Sequence, residues 1–232
     1  MKNGIVLCSG GIDSVTTAYY AKNKLRYKKM IILFFNYNQK SLERERECSK
    51  QCAKKIGAEF QEISLGWLGN ISQSLINKKG IVKKLDRKQL KDTKKESDKY
   101  YVPCRNTVFL VYALALAESL YVKNKERYDI LVGFKNEGKE SFPDATPEFV
   151  KKMNELAEIS TKGFKIIAPL IEKDKEDIIL IGKGLGVDFR RTHSCNVQNK
   201  HCGKCLASML RKEGFYWANV KDTTNYESNV SS

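Results

Sequence analysis

The 232-residue sequence contains no apolar run long enough to cross a membrane, and its first residues lead straight into a strand rather than into a signal peptide. We therefore expect a cytoplasmic protein that is not associated with a membrane. At its first strand–helix junction the sequence also lacks the Gly-Lys-Ser/Thr ending of the P-loop and the GxGxxG pattern of dinucleotide-binding proteins. These absences exclude the two best-known glycine-rich nucleotide loops at that junction.

The composition is that of a globular protein, with 41% hydrophobic and 30% charged residues, and the length suits one α/β domain. The formal charge of +15 comes from 42 basic and 27 acidic residues. Such a charge suits RNA, an acidic protein or a polyanionic small substrate. Because the lysines are spread along the chain without an RNA-binding motif, we favour a generally lysine-rich composition over nucleic-acid binding. The seven cysteines, an odd number, fit a reducing compartment.

Residues 7–14, Leu-Cys-Ser-Gly-Gly-Ile-Asp-Ser, join the first apolar run to the first helix-forming stretch. Glycines let a phosphate approach the backbone, hydroxyl groups donate hydrogen bonds, and the free amides of a helix start favour an anion. The pattern therefore predicts a phosphate-binding loop. The alternative is an ordinary strand-to-helix turn capped by a serine or an aspartate.

Short apolar runs alternate with helix-forming stretches along the chain. The second run, residues 30–35, is apolar on both faces, as a buried parallel strand is. Further predicted strands occupy residues 59–63, 129–134 and 166–170. A strand after each helix predicts an α/β fold with a doubly wound parallel sheet. The polar residues 36–40 follow the second strand, at the edge where such sheets bind ligands.

Several polar residues are predicted to begin helices. Ser41 is the predicted cap of the second helix, and Asp174 is the predicted cap of the helix that ends near residue 184. Asn106 is predicted to cap a central, almost wholly apolar helix over residues 107–122. Arg105 would then lie just outside that helix, where it is well placed to reach an anion at the sheet edge.

Residues 77–99 have a different composition, rich in lysine and poor in apolar side chains. Such a segment has little to bury, so we predict a mobile basic insertion, whose order the sequence does not determine. Long segments of this kind in a compact domain are either disordered or functional lids. The sequence leaves both interpretations open.

Three cysteines, Cys195, Cys202 and Cys205, crowd into one loop near the end of the chain. The last two form a Cys-x-x-Cys knuckle, which supplies two ligands at the separation that zinc requires. A tetrahedral zinc site needs about four ligands. His193, His201 or a water molecule is therefore a candidate for the fourth position.

Five motifs occur in one order along the chain: SGGIDS at 9–14, YVPCRNTVFL at 101–110, FPD at 142–144 with PEF at 147–149, PLI at 169–171 with Lys175, and SC at 194–195 with CGKC at 202–205. Together they resemble the 7-cyano-7-deazaguanine synthase (QueC) family of the ATP pyrophosphatase, or PP-loop, superfamily. The resemblance covers nearly the whole chain. It implies an adenine nucleotide alpha-hydrolase-like domain over residues 1–190, with 77–99 as its insertion. A zinc loop with a short helix would follow over 191–215, and a polar tail over 216–232.

The resemblance also implies a reaction. ATP would adenylate the carboxylate of 7-carboxy-7-deazaguanine, ammonia would displace AMP to give an amide, and a second adenylation would dehydrate the amide to the nitrile. The implied cofactors are ATP, Mg²⁺ and Zn²⁺, and the implied assembly is a homodimer.

The matched positions carry the family's roles to individual residues. Nucleotide binding is expected of Leu7, Cys8, Ser9, Gly10, Gly11, Asp13 and Ser14. A catalytic role is expected of Asp13, Arg105 and Lys175. Substrate binding is expected of Gln39, Arg105, Asn106, Phe142 and Asp144. Zinc binding is expected of Cys195, Cys202 and Cys205, as a brace of the pocket wall rather than as a Lewis acid.

The chain departs from the family pattern at three places. Residues 36–41 read NYNQKS where the family has DYGQRH, residues 143–146 read PDAT where it has PDCR, and Ser208 stands where it has a fourth zinc cysteine. A retained ATP loop beside an altered pocket suits a divergent enzyme that ligates the acyl group to a protein or nucleic acid, or stops at the amide.

Two other classes of protein are also considered. A tRNA-modifying PP-loop enzyme would need an RNA-binding appendage or a catalytic cysteine pair, and the sole Cys-x-x-Cys lies in the zinc-like loop. A non-catalytic nucleotide-binding module is the other alternative. The intact Asp13 and Lys175 argue against it.

Overall fold

A five-stranded, all-parallel sheet forms the centre of the computed structural model, which describes residues 2–84, 90, 93–135 and 142–227. The strand order is β3-β2-β1-β4-β5, so β1 is central and the chain winds outward from it in both directions. The predicted doubly wound sheet is therefore confirmed. The strands are β1 (Asn3–Leu7), β2 (Lys29–Asn36), β3 (Glu59–Ser64), β4 (Tyr128–Val132) and β5 (Ile166–Ile167).

Eight α-helices lie within the described ranges. They are α1 (Ile12–Asn23), α2 (Leu42–Ile56), α3 (Gly66–Ile71), α4 (Lys94–Ser97), α5 (Arg105–Asn124), α6 (Pro147–Ser160), α7 (Lys175–Gly184) and α8 (Leu206–Trp217). Helix α7 packs against both α1 and α8. None of the helices in the described part of the chain is both long enough and apolar enough to span a bilayer.

Successive residues of each strand face two different cores. Ile5 belongs to the core beneath α5 and α6, together with Leu110 and Met153. Val6 belongs to the core beneath α1, α2 and α7, together with Ile178. Because both faces of the central strands are covered, β1 and β2 read as continuous apolar runs rather than as alternating patterns.

The edge strand β5 is shorter than the predicted strand over residues 166–170. Only Ile166–Ile167 continues the ladder, paired with Ile130 and Leu131 of β4. Pro169 has no N–H to donate to a ladder, which limits the strand on its C-terminal side.

Helix α5 differs from its prediction in its start and in its surroundings. It begins at Arg105, so Arg105 and Asn106 lie in its first turn rather than ahead of it. The prediction that Asn106 caps the helix is wrong, because the N-cap position is Cys104, in the left-handed region at φ 53° and without a side-chain cap. Its apolar surface is also not wholly buried, since Val122 is exposed.

The predicted caps of α2 and α7 occupy the predicted positions, but neither makes a side-chain capping hydrogen bond. The hydroxyl of Ser41 donates instead to Glu45 Oε1 at 2.6 Å. Asp174 has an extended backbone, which is the usual conformation at an N-cap.

The predicted insertion is structured at its C-terminal end. Helix α4 and the start of the 3₁₀ turn Asp98–Tyr100 lie within it, so this end is ordered, a point that the sequence left open. The N–H of Leu75 donates to the carbonyl of Lys99 at 2.8 Å, and Tyr100 is buried. Residues 85–89, 91 and 92 of the insertion, residues 136–141, and residues 228–232 of the predicted tail lie outside the described residues. A lid function for the insertion stays a prediction.

The C-terminal part of the chain packs into the same two cores as the sheet. Cys195, Cys202 and Cys205 belong to the core beneath α5, and Phe215 of α8 belongs to the core beneath α1. The domain boundary near residue 190 stays a prediction.

Candidate active site

A cavity of about 330 Å³ opens at the carboxyl edge of the sheet, beyond the ends of β1, β2 and β4. This is the edge at which doubly wound sheets bind ligands. The predicted site residues in its lining are Leu7, Cys8, Ser9, Gly11, Asp13, Ser14, Gln39, Arg105, Asn106 and Phe142. The structure therefore brings the predicted nucleotide loop and most of the predicted substrate residues to one cavity. Gly10, Asp144 and Lys175 lie next to lining residues but do not line the cavity themselves.

The loop between β1 and α1 makes its turn at Gly10. The φ of Gly10 is +78°, in the left-handed region. A Cβ there would lie 2.7 Å from both the Cβ of Cys48 and the carbonyl oxygen of Glu45, so only glycine fits between the loop and α2.

The start of α1 has hydroxyl groups around it but no side-chain cap. Gly11 occupies the N-cap position, and Ser14 Oγ donates to its carbonyl at 3.3 Å. Ser9 Oγ lies 3.4 Å from Ser14 Oγ. Because no side chain caps the first turn, its amides suit an anion, and the alternative of a serine- or aspartate-capped turn does not hold.

Asp13 and Lys175 form an ion pair between the first turns of α1 and α7. Lys175 Nζ lies 2.7 Å from each carboxylate oxygen of Asp13, and the two side chains are 16% and 25% exposed. Gly214 of α8 makes room for the lysine, because a Cβ there would lie 2.3 Å from Lys175 Cγ. Helix α8 therefore sets the position of the amine behind the phosphate loop.

Gly133 brings the end of β4 directly against the start of α1. A Cβ on Gly133 would lie 2.8 Å from both Cα and N of Ser14 and 2.9 Å from the carbonyl carbon of Asp13. These are backbone atoms, which cannot move without displacing the loop. The sequence analysis missed this residue, whose signal is a glycine immediately after an apolar strand.

Glu45 places a partly buried carboxylate in the cavity lining, and the sequence analysis missed it too. It accepts hydrogen bonds from Ser41 Oγ at 2.6 Å and from Gln39 Nε2 at 3.0 Å. Burial raises the pKa of Glu45 more than these hydrogen bonds lower it. Gln39 Nε2 also donates to the carbonyl of Phe35, and its Oε1 accepts from the amide of Tyr37. The predicted substrate residue Gln39 thus orients the carboxylate of Glu45.

Arg105 brings a cation to the same cavity from the first turn of α5. Its Cζ lies 6.0 Å from the centre of the Tyr37 ring, and its Nη1 lies 3.5 Å from Tyr37 Oη. Burial lowers the pKa of Arg105, but the interactions with Tyr37 and Asp144 together raise it by more than burial lowers it, so the net shift is upward. The cavity therefore carries a guanidinium that stays charged at any physiological pH.

Asp144 supplies from another segment the cap that α5 lacks. The amide of Asn106 donates to Asp144 Oδ2 at 3.2 Å, and Asn106 Nδ2 donates to the carbonyl of Asp144 at 2.9 Å. A carboxylate is favoured at this position by the helix dipole. The two residues thus bind each other and fasten the 3₁₀ turn Pro143–Ala145 to α5. Contact of either side chain with a substrate stays a prediction.

Aromatic rings form the apolar part of the cavity wall. Phe35 and Phe109 stack with ring centres 4.1 Å apart and an interplanar angle of 8°. Phe142 stacks on Tyr101 at 6.2 Å. Flat rings of this kind suit a planar heteroaromatic ligand.

The three cysteines of the C-terminal loop converge, as predicted. Cys195, Cys202 and Cys205 are buried, and their Sγ atoms all lie within 4.8 Å of one another. Neither His193 nor His201 joins this group. Burial lowers the pKa of His193 to about 4 and that of His201 to about 3, so both rings are neutral at physiological pH. The Nδ1 atoms of both rings are buried without a hydrogen-bond partner in the described part of the chain.

The cysteine loop is joined directly to the phosphate loop. The amide of His193 donates to the carbonyl of Gly10 at 2.8 Å, and Asn196 lines the cavity. Arg211, which is 1% exposed, crosses behind the loop and donates to Thr192 Oγ1 and to the carbonyl of Phe189. The position of the phosphate loop therefore depends on the C-terminal segment.

Comparisons with known proteins agree on one family. The family model described as "Queuosine biosynthesis protein QueC" matches residues 3–219. The chain is 33% identical over 231 residues to the 7-cyano-7-deazaguanine synthase of Methanobrevibacter smithii. This alignment covers 97% of this chain and 98% of that protein. It is 35% identical over 229 residues to the synthase of Methanosphaera stadtmanae, with coverages of 96% and 97%. Among solved structures, NMN synthetase from Francisella tularensis aligns with a TM-score of 0.44 and 14% identity, over 96% of this chain and 79% of that one.

Proposed function

The chain belongs to the QueC family of queuosine biosynthesis proteins, and from that premise we propose that it converts 7-carboxy-7-deazaguanine to 7-cyano-7-deazaguanine with ATP and ammonia. One observation carries the proposal: the phosphate-type loop at residues 8–14 and the partly buried charged residues Glu45 and Arg105 line a single cavity. A substrate carboxylate and the α-phosphate of ATP must meet in such a place.

The reaction requires two activations of the same carbon. The substrate carboxylate attacks the α-phosphorus and pyrophosphate leaves, after which ammonia attacks the acyl carbon and AMP leaves with the original oxygen. The amide oxygen then attacks a second α-phosphorus, and loss of AMP and a proton leaves the nitrile. Each cycle therefore consumes two ATP and releases two AMP and two pyrophosphates.

The phosphate loop supports this chemistry by binding the departing pyrophosphate. The uncapped amides of α1 and the hydroxyl groups of Ser9 and Ser14 all lie around the turn at Gly10. Such donors stabilise the negative charge that moves onto the leaving group. The cradle at Gly10, which a Cβ would fill, fits a phosphate close to the backbone.

We propose that Asp13 and Lys175 also act on the negative charge of the departing pyrophosphate, from the side opposite the phosphate loop. Lys175 would turn its amine from Asp13 toward the phosphates and neutralise them during in-line attack. Asp13 would then be free to hold the Mg²⁺ that accompanies ATP, since carboxylate oxygens are preferred ligands of that ion. Magnesium would supply charge neutralisation at the phosphates.

Glu45 and Arg105 are proposed to orient the deazaguanine. The guanine-type edge presents an N1–H and an exocyclic amino group, which a fixed carboxylate such as Glu45 accepts as a pair. Arg105 would bind the substrate's own carboxylate, and the rings of Phe35 and Phe109 would bound the flat heterocycle. This assignment explains why Gln39 and Ser41 hold Glu45 so closely.

The three buried cysteines fit Zn²⁺, because three sulfurs within 4.8 Å of one another match the donor type and spacing of zinc sites. We propose that Zn²⁺ would cross-link the C-terminal loop by binding all three cysteines. Through the contact of His193 with Gly10 the loop would then brace the phosphate loop.

The departures from the family pattern around residue 38 preserve the local geometry, which favours the synthase over a diverged ligase. Asn38 replaces an expected glycine at φ 59°, a conformation that asparagine tolerates. Asn36 replaces an expected aspartate and accepts from the amide of Asn38 at 3.2 Å, as an aspartate would. Ala145, in place of a cysteine, is the departure that lines the cavity.

The test is one incubation of the protein with 7-carboxy-7-deazaguanine, Mg-ATP and ammonium, read by mass spectrometry, with the Lys175→Ala variant as the inactive control. A nitrile with two AMP per turnover would support the proposal. Accumulation of adenylate or amide alone would overturn it in favour of a ligase with a protein or nucleic-acid acceptor. No pyrophosphate release would leave a nucleotide-binding module. Sedimentation and cell fractionation test the homodimer and the cytoplasmic location, which are parts of the same proposal.

A further inference from the structure

Ser208 lies at the open corner of the cysteine cluster. Its Oγ is 3.2 Å from Cys205 Sγ and 3.7 Å from Cys202 Sγ, while Cys205 Sγ is 3.9 Å from Cys195 Sγ. The serine is fully buried, so bulk water does not reach it. The Ser208 oxygen therefore lies directly beside two of the three clustered sulfurs.

These separations match those of one tetrahedron. With zinc–sulfur bonds of about 2.3 Å and a zinc–oxygen bond of about 2.0 Å, the sulfurs lie about 3.8 Å apart and the oxygen about 3.5 Å from each sulfur. The oxygen–sulfur distances of 3.2 and 3.7 Å and the sulfur–sulfur distance of 3.9 Å lie close to these values.

The local structure fixes this arrangement through the first turn of α8. Cys205 is the N-cap residue, and its Sγ accepts from the amide of Ser208 at 3.4 Å. The amide of Cys205 in turn donates to Cys202 Sγ at 3.3 Å. Hydrogen bonds of this kind stabilise thiolates, and they hold Ser208 at a constant distance from two of them.

We propose that Ser208 Oγ is the fourth donor of a three-sulfur, one-oxygen zinc site. The inference rests on the proposed binding of zinc, and it assigns a ligand role to the serine that stands where the family has its fourth zinc cysteine. Three thiolates and one neutral hydroxyl leave the site with a net charge of −1, against −2 for four thiolates. A less anionic site costs less to bury next to the phosphate loop.

The rival donors are the two histidines. His193 Nε2 lies 3.0 Å from the carbonyl of Gln198, and its ring centre lies 4.6 Å from that of His201. Neither ring has a nitrogen among the clustered sulfurs. A histidine ligand would require both the loop and a ring to move, whereas Ser208 is already in place.

The experiment is X-ray absorption at the zinc edge, together with visible spectra of the Co²⁺-substituted protein. The variants are Ser208→Ala, Ser208→Cys and His201→Gln, with Ser49→Ala as a control for loss of a buried serine elsewhere. We expect three sulfurs and one oxygen in the parent protein and four sulfurs in Ser208→Cys. Ser49→Ala and His201→Gln should keep the parent spectrum. Ser208→Ala should hold zinc at least about 10-fold more weakly, the loss that even outer-shell changes cause.

Azide distinguishes the serine from a bound water molecule. It should change the Co²⁺ spectrum of Ser208→Ala, whose fourth position is open, and leave the parent spectrum unchanged. An equal response of the two proteins, or a changed spectrum in His201→Gln, would overturn the assignment of Ser208. Because the azide test on the parent protein needs no variant, the proposal stays testable even where Ser208→Ala fails to fold.

The failures of the two proposals have different signatures. A parent protein that takes up neither Zn²⁺ nor Co²⁺ overturns the metal site together with its fourth donor. The synthase reaction is scored separately by nitrile formation. A protein that makes the nitrile but binds zinc through a histidine loses only the inference about Ser208.

Discussion

Lys175 Nζ lies 2.7 Å from both carboxylate oxygens of Asp13, so the first turn of α7 is ion-paired with the first turn of α1 across 162 positions of sequence. Each residue begins a helix at the same edge of the sheet, which is why two distant motifs form one site. The pair also keeps the lysine extended over Gly214, close to where a leaving pyrophosphate would sit.

Replacing Lys175 by alanine should lower kcat/KM for AMP formation by about 10²–10³-fold, the effect of removing one donor that stabilises charge developing in the transition state. We expect most of the loss in kcat, because the proposed contact strengthens as pyrophosphate departs. Initial rates of pyrophosphate release over a range of ATP concentrations measure both parameters. Lys183→Ala, which removes an exposed lysine of the same helix, is the matched control and should change kcat by less than about twofold. An unchanged kcat in Lys175→Ala would refute the role.

Replacing Gly133 by alanine should displace the phosphate loop. The added Cβ would meet backbone atoms of Ser14 at 2.8 Å, and such overpacking costs about 1–3 kcal/mol. Urea unfolding should show this loss, and the KM for ATP should rise because the loop moves. Gly184→Ala adds the same methyl group where no atom lies within 4 Å, so it should be neutral or stabilising by up to about 1 kcal/mol. Equal unfolding free energies for the two variants would contradict the packing argument.

The elements that could be predicted from the sequence are those whose signal is local. The apolar runs of β1 and β2 and the loop at residues 9–14 can be identified from a few neighbouring residues, because burial on both sheet faces requires continuous apolar sequence and the turn requires glycine. The convergence of three cysteines was predictable for the same reason, since two of them are three residues apart.

The parts that could not be predicted depend on pairs that are distant in sequence. Asn106 looks like a helix cap in the sequence, yet Asp144, 38 residues later, provides the capping carboxylate. Glu45 looks like one more charged residue of a polar helix, and only the fold shows that Gln39 and Ser41 aim it into the cavity. Arg211 is likewise one of many basic residues until the fold buries it.

Asp144→Ala should remove the cap of α5. Loss of a helix cap costs about 0.5–2 kcal/mol, so urea unfolding should show a decrease of that size. Asp144→Asn keeps an acceptor oxygen and should lose less. The KM for the deazaguanine should rise in both variants, because the 3₁₀ turn Pro143–Ala145 that they loosen contributes Ala145 to the cavity wall. Glu158→Ala, on the exposed side of α6, is the control and should stay within about 0.5 kcal/mol of the parent protein. An Asp144→Ala protein of parental stability would refute the capping role.

Glu45→Gln should separate the stability cost of the buried carboxylate from its proposed use in binding. Burial raises the pKa of Glu45 above its ordinary value of 4.5, so the folded state prefers the protonated form. The stability that this group contributes is present below pH 4.5 and is lost as the pH rises through the folded pKa. The variant should therefore match the parent protein in free energy of unfolding near pH 4, exceed it as the pH rises from 4.5 to the folded pKa, and keep a constant advantage above that. Its KM for the deazaguanine should rise about 10-fold or more from the loss of a charged acceptor.

Asp188→Asn serves as a control of opposite sign, because hydrogen bonding from Arg190 lowers the pKa of Asp188. Urea unfolding at pH values around and below the ordinary Asp value of 3.8 should then show the parent gaining stability over Asp188→Asn as the pH rises, with little change above about pH 5. A Glu45→Gln protein that loses stability relative to the parent between pH 4 and pH 8 would contradict the sign, and one with an unchanged KM would remove Glu45 from substrate recognition.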